Sequence, residues 1–126
     1  MGKHLVLVGG GHAHLTCLKK LRDFVERGHV VTVIGPARHH YYSGMGPGML
    51  AGTYRPQEIR FNTQKMTELG GGRFLQGYVG QIEASRKCLI LTSGQEIAYD
   101  VVSFNTGSGI PVGNLPIAQE ARVFTV

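Results

Sequence analysis

Residues 4–14, His-Leu-Val-Leu-Val-Gly-Gly-Gly-His-Ala-His, decide the fold of this chain. Four apolar residues, Leu5 to Val8, run directly into three glycines, which is typical of a strand buried on both faces of a parallel sheet. Between Leu15 and Val25 the apolar residues recur at the spacing of one helical face. The chain is therefore predicted to begin with a strand, a glycine turn and a helix.

The glycine turn matches part of the dinucleotide-binding fingerprint, because Gly9 and Gly11 stand between a strand and a helix. Glycines let the backbone turn tightly and let a pyrophosphate approach, and a helix N-terminus favours a phosphate group. The third glycine of the fingerprint is replaced by His14. We expect His12 and His14 to cap the turn or pack around it. The alternative is a tight strand-to-helix turn in another kind of α/β protein.

The length and net charge of the chain indicate how many domains it forms and which ligands it could bind. A chain of 126 residues forms one domain or less. The net charge of +5 suits an anionic ligand, and a dinucleotide would satisfy it locally. The basic residues are scattered and lack interleaved aromatics, so we expect no nucleic-acid partner.

The cysteines and histidines suggest no redox or metal centre. Cys17 and Cys88 lie far apart in sequence, so we expect buried, inert thiols and no dithiol centre. The histidine pairs lack cysteine or carboxylate partners at ligand spacing, so we expect no metal site. No apolar segment approaches 18 residues and no signal peptide is recognisable, which predicts a cytoplasmic location.

A second apolar strand, Val30 to Ile34, completes a strand–helix–strand unit whose helix is predicted to end near Gly28. In dinucleotide folds an acidic residue at the tip of this strand binds the ribose, but here the tip is Gly35-Pro36-Ala37-Arg38. Arg38 could accept the 2′-phosphate of NADP. Alternatively, the chain is a flavoprotein that binds the ribose differently, or Arg38 is a solvated turn residue.

The rest of the chain alternates loops with short elements. Residues 39–54 are rich in glycine and tyrosine and predict a long loop, over the phosphate and flavin ends of a dinucleotide, with no regular helix or strand. Residues 55–69 predict one helix, with Pro56 in its first turn. Residues 74–75 predict a third parallel strand.

A small antiparallel meander is predicted after that strand, at residues 78–84, 88–92 and 96–99. Residues 101–104 then return as an apolar strand that ends in another glycine-rich turn. The predicted fold class is α/β, a Rossmann-like dinucleotide-binding fold with a parallel sheet and a small antiparallel β-meander. No pattern is recognisable beyond Pro111.

This order of motifs resembles the flavin half of the pyridine nucleotide-disulfide oxidoreductase-like flavoproteins, which include type II NADH dehydrogenases and sulfide:quinone oxidoreductases. More narrowly, residues 8–14, 42–48 and 51–52 resemble NADH-dehydrogenase-like flavoproteins, some of which are fused to selenophosphate synthetase. That subgroup also carries histidine at the third glycine and lacks the strand-tip acid. The resemblance spans residues 4 to about 111.

The resemblance implies an FAD site, with NAD(P)H as the co-substrate of a longer parent protein. Gly9 and Gly11 would contact the pyrophosphate, and His12 and Ala13 would offer backbone groups at the start of the helix. The other implied contacts are Gly35, Pro36 and Arg38 at the adenosine ribose, Ser43, Gly44 and Pro47 near the pyrophosphate and flavin, Val79 at the adenine, and Thr106 and Gly107 at a second flavin-binding turn.

The predicted function is the FAD-binding portion of a flavin-dependent oxidoreductase that passes electrons from NAD(P)H to an acceptor such as a quinone. Residues 1–111 would form the FAD-binding part and residues 112–126 the start of a following element or NAD(P)-binding domain, so the isolated chain is expected to be inactive. The alternatives are an NADP-binding Rossmann protein and a non-catalytic nucleotide-binding module. Expected partners are the remainder of the parent chain, a second copy paired through an exposed sheet edge, and a membrane surface bound peripherally by the parent protein.

Overall fold

The computed structural model describes residues 1–109 and 112–123 and is built around a four-stranded parallel sheet. Its strands are β1 (His4–Val8), β2 (Val30–Gly35), β5 (Arg73–Gln76) and β9 (Val101–Phe104). The strand order is β5-β2-β1-β9, and every neighbouring pair is parallel. The predicted parallel strands are confirmed, and β1, the most apolar of them, lies in the interior of the sheet.

Three helices cover one face of this sheet: α1 (His12–Lys19), α2 (Leu21–Glu26) and α4 (Thr63–Leu69). The prediction of one continuous helix up to Gly28 is wrong, because the backbone leaves helical geometry at Lys20. The break allows buried residues of both α1 and α2 to join one core cluster with apolar residues of β1 and β2.

The opposite face carries the predicted antiparallel meander, formed by β6 (Val79–Glu83), β7 (Cys88–Leu91) and β8 (Glu96–Ala98). Side chains of a strand alternate between the two faces of a sheet, so β1 contributes to two separate clusters. Val6 and Val8 face the meander, whereas Leu7 faces the helices. The architecture is therefore three layers, with helices, parallel sheet and meander stacked in that order.

The segment between β2 and β5 differs from its prediction. It forms the strands β3 (His39–Tyr41) and β4 (Arg60–Asn62), which pair antiparallel, and the short helix α3 (Gly46–Leu50). The prediction of an irregular loop over 39–54 is wrong for β3 and α3, and the single helix over 55–69 is wrong because β4 interrupts it. Pairing with β3 holds β4 extended, and a 3₁₀ turn spans Pro56–Ile59.

Several expectations about individual features can be compared with this fold. Cys88 is buried and Cys17 is partly buried, and both thiols are free. Within residues 1–109 and 112–123, no helix is long and apolar enough to cross a membrane, and no three metal-binding side chains cluster. The predicted domain boundary at residue 111 and the last three residues of the predicted new element lie outside the described residues.

Candidate functional site

A cavity of about 500 Å³ opens where the parallel strands end, between their carboxyl edge and the meander. This volume lies in the range of small-molecule and cofactor sites, and ligands of open α/β sheets bind at this edge. No carboxylate, lysine or arginine is among the lining residues. The lining consists of Val8, Gly9, Gly10, Ile34, Gly35, Pro36, His40, Gly77, Tyr78, Val79, Gly80, Gln81, Ile82, Phe104 and Thr106.

The glycine turn that follows β1 is held on one side by Asn105. The Gly11 N–H donates to the Asn105 carbonyl oxygen at 3.1 Å, and the Ala13 N–H donates to Asn105 Oδ1 at 3.1 Å. A Cβ atom on Gly11 would collide with Asn105 Oδ1, and one on Gly9 would collide with the Asn105 carbonyl oxygen. The protein's own packing therefore requires glycine at both positions of the fingerprint.

His14, on α1, contacts the same turn through its buried imidazole ring. Its side chain is only 3% exposed, and its Nδ1 lies 2.8 Å from the Gly9 carbonyl oxygen while its Nε2 lies 2.9 Å from Ser103 Oγ. A carbonyl oxygen can only accept, so Nδ1 is the donor in the first of these bonds. The prediction that His14 packs around the turn is confirmed, and the imidazole joins the turn and α1 to β9.

His12 behaves differently from His14. It is exposed, and its ring centroid lies 5.0 Å from that of Tyr42, in a tilted arrangement. Tyr42 in turn folds against Gly44, where a Cβ atom would lie 2.7 Å from the tyrosine ring. His12 thus contributes to a small aromatic group beside the turn and makes no side-chain cap.

The far wall of the cavity is formed by β6 and the turn before it. The Gly77 N–H donates to the Gly35 carbonyl oxygen at 2.9 Å, which fixes this wall against the tip of β2. The pairing of β6 with β7 is irregular between Val79 and Gln81. Sequence reasoning named only Val79 here and missed Tyr78 and Gln81, although the glycines at positions 77 and 80 could have indicated a close approach.

Five of the residues predicted to bind the cofactor line this cavity: Gly9, Gly35, Pro36, Val79 and Thr106. The other eight lie outside its lining: Gly11, His12, Ala13, Arg38, Ser43, Gly44, Pro47 and Gly107. Arg38 is exposed beyond the tip of β2. Gly107 has a φ of 79°, in the left-handed region that favours glycine. Sequence reasoning did not assign Gly10, His40 and Phe104 to the site.

His40 is the histidine of β3 that faces the cavity. Partial burial lowers the pKa of His40, so the ring presents a neutral imidazole at pH 7. Burial, with Arg60 and then Arg38 nearby, also lowers the pKa of His39 on the other face of the strand. The lining contains no lysine or arginine, so direct contacts to an anion would come from hydrogen-bond donors.

Comparison with known proteins defines the class of fold. No family profile matches the chain. Among solved structures, the sulfide:quinone oxidoreductase of the hyperthermophilic bacterium Aquifex aeolicus matches with a TM-score of 0.75 and 21% identity, over 84% of this chain and 24% of its own. NDH2 from Plasmodium falciparum, in complex with NADH, matches with a TM-score of 0.72 and 15% identity, over 90% of this chain and 24% of its own.

A third structure extends the same comparison. The water-forming NADH oxidase from Lactobacillus brevis, bound to NADH, matches with a TM-score of 0.67 and 20% identity, over 86% of this chain and 26% of its own. The chain thus spans about a quarter of the length of each of these structures. The predicted Rossmann-like fold is confirmed, and so is the predicted resemblance to this group of oxidoreductases at the level of the fold.

Proposed function

We propose that this chain is the FAD-binding part of a flavin-dependent oxidoreductase that passes electrons from NAD(P)H to an acceptor such as a quinone. The observation that carries the proposal is the cavity at the carboxyl edge of the parallel sheet, which meets the glycine turn at one end. Folds of this type bind dinucleotides at that edge. The likeness in fold to a sulfide:quinone oxidoreductase and to an NADH oxidase supports the electron-transfer chemistry.

The residues around the cavity fit the adenosine and phosphate part of such a cofactor. Gly35 and Pro36 would lie at the ribose, Val79 would offer its backbone to the adenine, and Gly9 and Thr106 would border the phosphates. The lining contains no carboxylate to repel a diphosphate. It also contains no acid to bind the ribose hydroxyls, so backbone groups and neutral polar side chains, such as the amide of Gln81, would serve that role.

The flavin, when bound, supplies hydride acceptance and electron transfer, and the protein orients and tunes it. This chain's own residues would bind the adenine-nucleotide half and exclude water from it, because Val8, Ile34 and Phe104 make much of the wall apolar. We assign no acid, base or nucleophile to the chain. We propose that the isolated chain binds the cofactor without turnover, since it spans about a quarter of the matched structures.

A titration of the purified chain with FAD tests this proposal, with flavin fluorescence and the melting temperature as readouts. A ligand present at 100 times its Kd stabilises the folded state by about 2.7 kcal/mol, which raises the melting temperature of a domain of this size by several degrees. Thr106→Phe places a bulky ring in the cavity mouth and should abolish binding. Ser108→Phe is the matched control, because Ser108 is exposed nearby but does not line the cavity.

Two results would contradict the proposal. The first is a chain that melts cooperatively but gains no stability from FAD at millimolar concentration. The second is equal loss of binding in the Thr106 and Ser108 variants. Stabilisation by NADPH alone, removed by Arg38→Ala, would favour the alternative of an NADP-binding Rossmann protein.

A further inference from the structure

Two polar groups without a partner meet at Gly10, the middle glycine of the turn. Thr63 is only 2% exposed, and its hydroxyl is the buried side-chain group that lacks a hydrogen-bond partner within residues 1–109 and 112–123. The Gly10 N–H also has no partner in that part of the chain. Most buried polar groups in proteins are paired, so two unpaired ones beside a cavity require an explanation.

The geometry places the hydroxyl directly behind the cavity wall. A Cβ atom on Gly10 would lie 3.0 Å from Thr63 Oγ1 and 3.3 Å from His40 Cβ. Both Gly10 and His40 line the cavity. Because Gly10 has no side chain, only its own backbone separates the hydroxyl from the space that a ligand would fill.

A second buried threonine on α4 has a paired hydroxyl, so a position on this helix does not by itself leave the Thr63 hydroxyl unpaired. Thr67, one turn further along α4, is fully buried, and its Oγ1 donates to the Thr63 carbonyl oxygen at 2.8 Å. Thr63 is the first residue of α4 and directly follows the extended strand β4, so no helical carbonyl lies one turn before its hydroxyl. The Ile59 carbonyl oxygen instead accepts the Tyr42 N–H at 2.7 Å. This bond extends the antiparallel pairing of β3 with β4 by one residue on each strand. The strand pairing therefore leaves the Thr63 hydroxyl without a partner on its own segment.

We propose that the Thr63 hydroxyl binds the diphosphate of the dinucleotide, together with the Gly10 N–H. This inference rests on the proposed function. A hydroxyl and an N–H can both donate to one anionic oxygen, and a bond to a charged acceptor is stronger than one between neutral groups. Thr63 itself does not line the cavity, so a shift of the Gly10 backbone would bring that oxygen within reach of the hydroxyl. The unpaired hydroxyl in the free protein is then satisfied by the ligand.

The test compares Thr63→Val with Thr67→Val, because valine keeps the shape of threonine and removes only the hydroxyl. The probes are ADP, which carries the diphosphate, and adenosine, which does not. Thr63→Val should weaken ADP binding about tenfold and leave adenosine binding unchanged. Its melting temperature should equal or exceed that of the wild type, since an unpaired buried group is removed. Thr67→Val should melt a few degrees lower and bind ADP normally.

Three results would overturn this inference. If Thr63→Val lowers the melting temperature as much as Thr67→Val, the hydroxyl is already paired in the free protein, for example with the Gly10 N–H. If Thr63→Val binds ADP as tightly as the wild type, or loses adenosine and ADP equally, the hydroxyl does not serve the diphosphate. If the wild type binds neither ADP nor FAD, the proposed function itself fails, and that failure is visible before any variant is made.

Discussion

The two sides of the glycine turn are built in opposite ways. On one side, Asn105 accepts hydrogen bonds from Gly11 and Ala13, and its atoms leave no room for a Cβ on Gly9 or Gly11. On the other side, Gly10 faces Thr63 and His40, and neither its N–H nor the Thr63 hydroxyl has a partner in the described part of the chain.

The difference between the sides shows that the three glycines of this turn can serve two purposes. The outer glycines allow the turn after β9 to pack against the turn after β1, which is a requirement of folding. The middle glycine leaves donors free beside the cavity, and the proposed binding of a diphosphate would use them. Substitutions on the Asn105 side should therefore change stability first, and substitutions on the Thr63 side should change binding first.

Gly11→Ala should have the largest effect on stability. Its methyl group would collide with Asn105 Oδ1 and lie 2.7 Å from the Asn105 carbonyl oxygen, so the two turns would have to separate. We expect a loss of about 3 kcal/mol or more in the free energy of unfolding, measured by urea denaturation. Gly109→Ala is the control, because a Cβ there meets nothing within 4 Å. Equal stability of the two variants would disprove the close packing of the turns.

Asn105→Ala should have a smaller effect, because it removes the acceptor of the Ala13 N–H and creates no clash. We expect a loss of about 1 kcal/mol, the usual cost of removing a helix N-terminal cap. Asn105→Asp keeps an acceptor oxygen and adds a negative charge at the start of α1, so it should retain wild-type stability. Urea denaturation of both variants checks this, and a less stable aspartate variant would contradict the capping role.

The pH dependence of stability should show the smallest effect, and it reports on the Thr63 side. Because the folded state lowers the pKa of His40, the unfolded chain binds more protons below about pH 6.5. Stability should therefore fall as the pH drops from 7 to 5. Melting temperatures of the wild type and His40→Gln across this range check the sign. The melting temperature of the wild type minus that of His40→Gln should fall towards acid pH. A rise in this value would mean that protonation of His40 stabilises the fold.

The parallel strands and the meander were predictable from sequence because each carries its own local signal. The apolar run of β1 and the turns around residues 85–87 and 93–95 require no knowledge of distant residues. The segment between β2 and β5 was not predictable in the same way. β3 and β4 are three residues each and are held extended by pairing with one another across 18 intervening residues. Such pairing is a long-range contact, and local propensity favoured a helix through β4.

The same distinction between local signals and long-range contacts applies to the candidate site. The sequence placed the glycine turn, the tip of β2 and the turn that contains Thr106 at one edge of the sheet, because turns after parallel strands meet there. Val79 was predicted only from the resemblance to known flavoproteins. The sequence did not reveal Asn105, which stands 94 residues after Gly11 and contacts it directly. Nor did it distinguish Thr63 from Thr67, since two threonines four residues apart look equivalent until the partners of their hydroxyls are known.

The sequence by itself determined the α/β class, the parallel order of the first two strands, and the position of the glycine turn at the edge of the sheet where the cavity lies. These follow from hydrophobic periodicity and from the chirality of strand–helix–strand units, which are local properties of the chain. Only the tertiary structure decided which glycine is needed for packing and which buried donors stay unpaired. Those outcomes depend on which distant atoms occupy the few ångströms around each group, and that is set when the layers pack together.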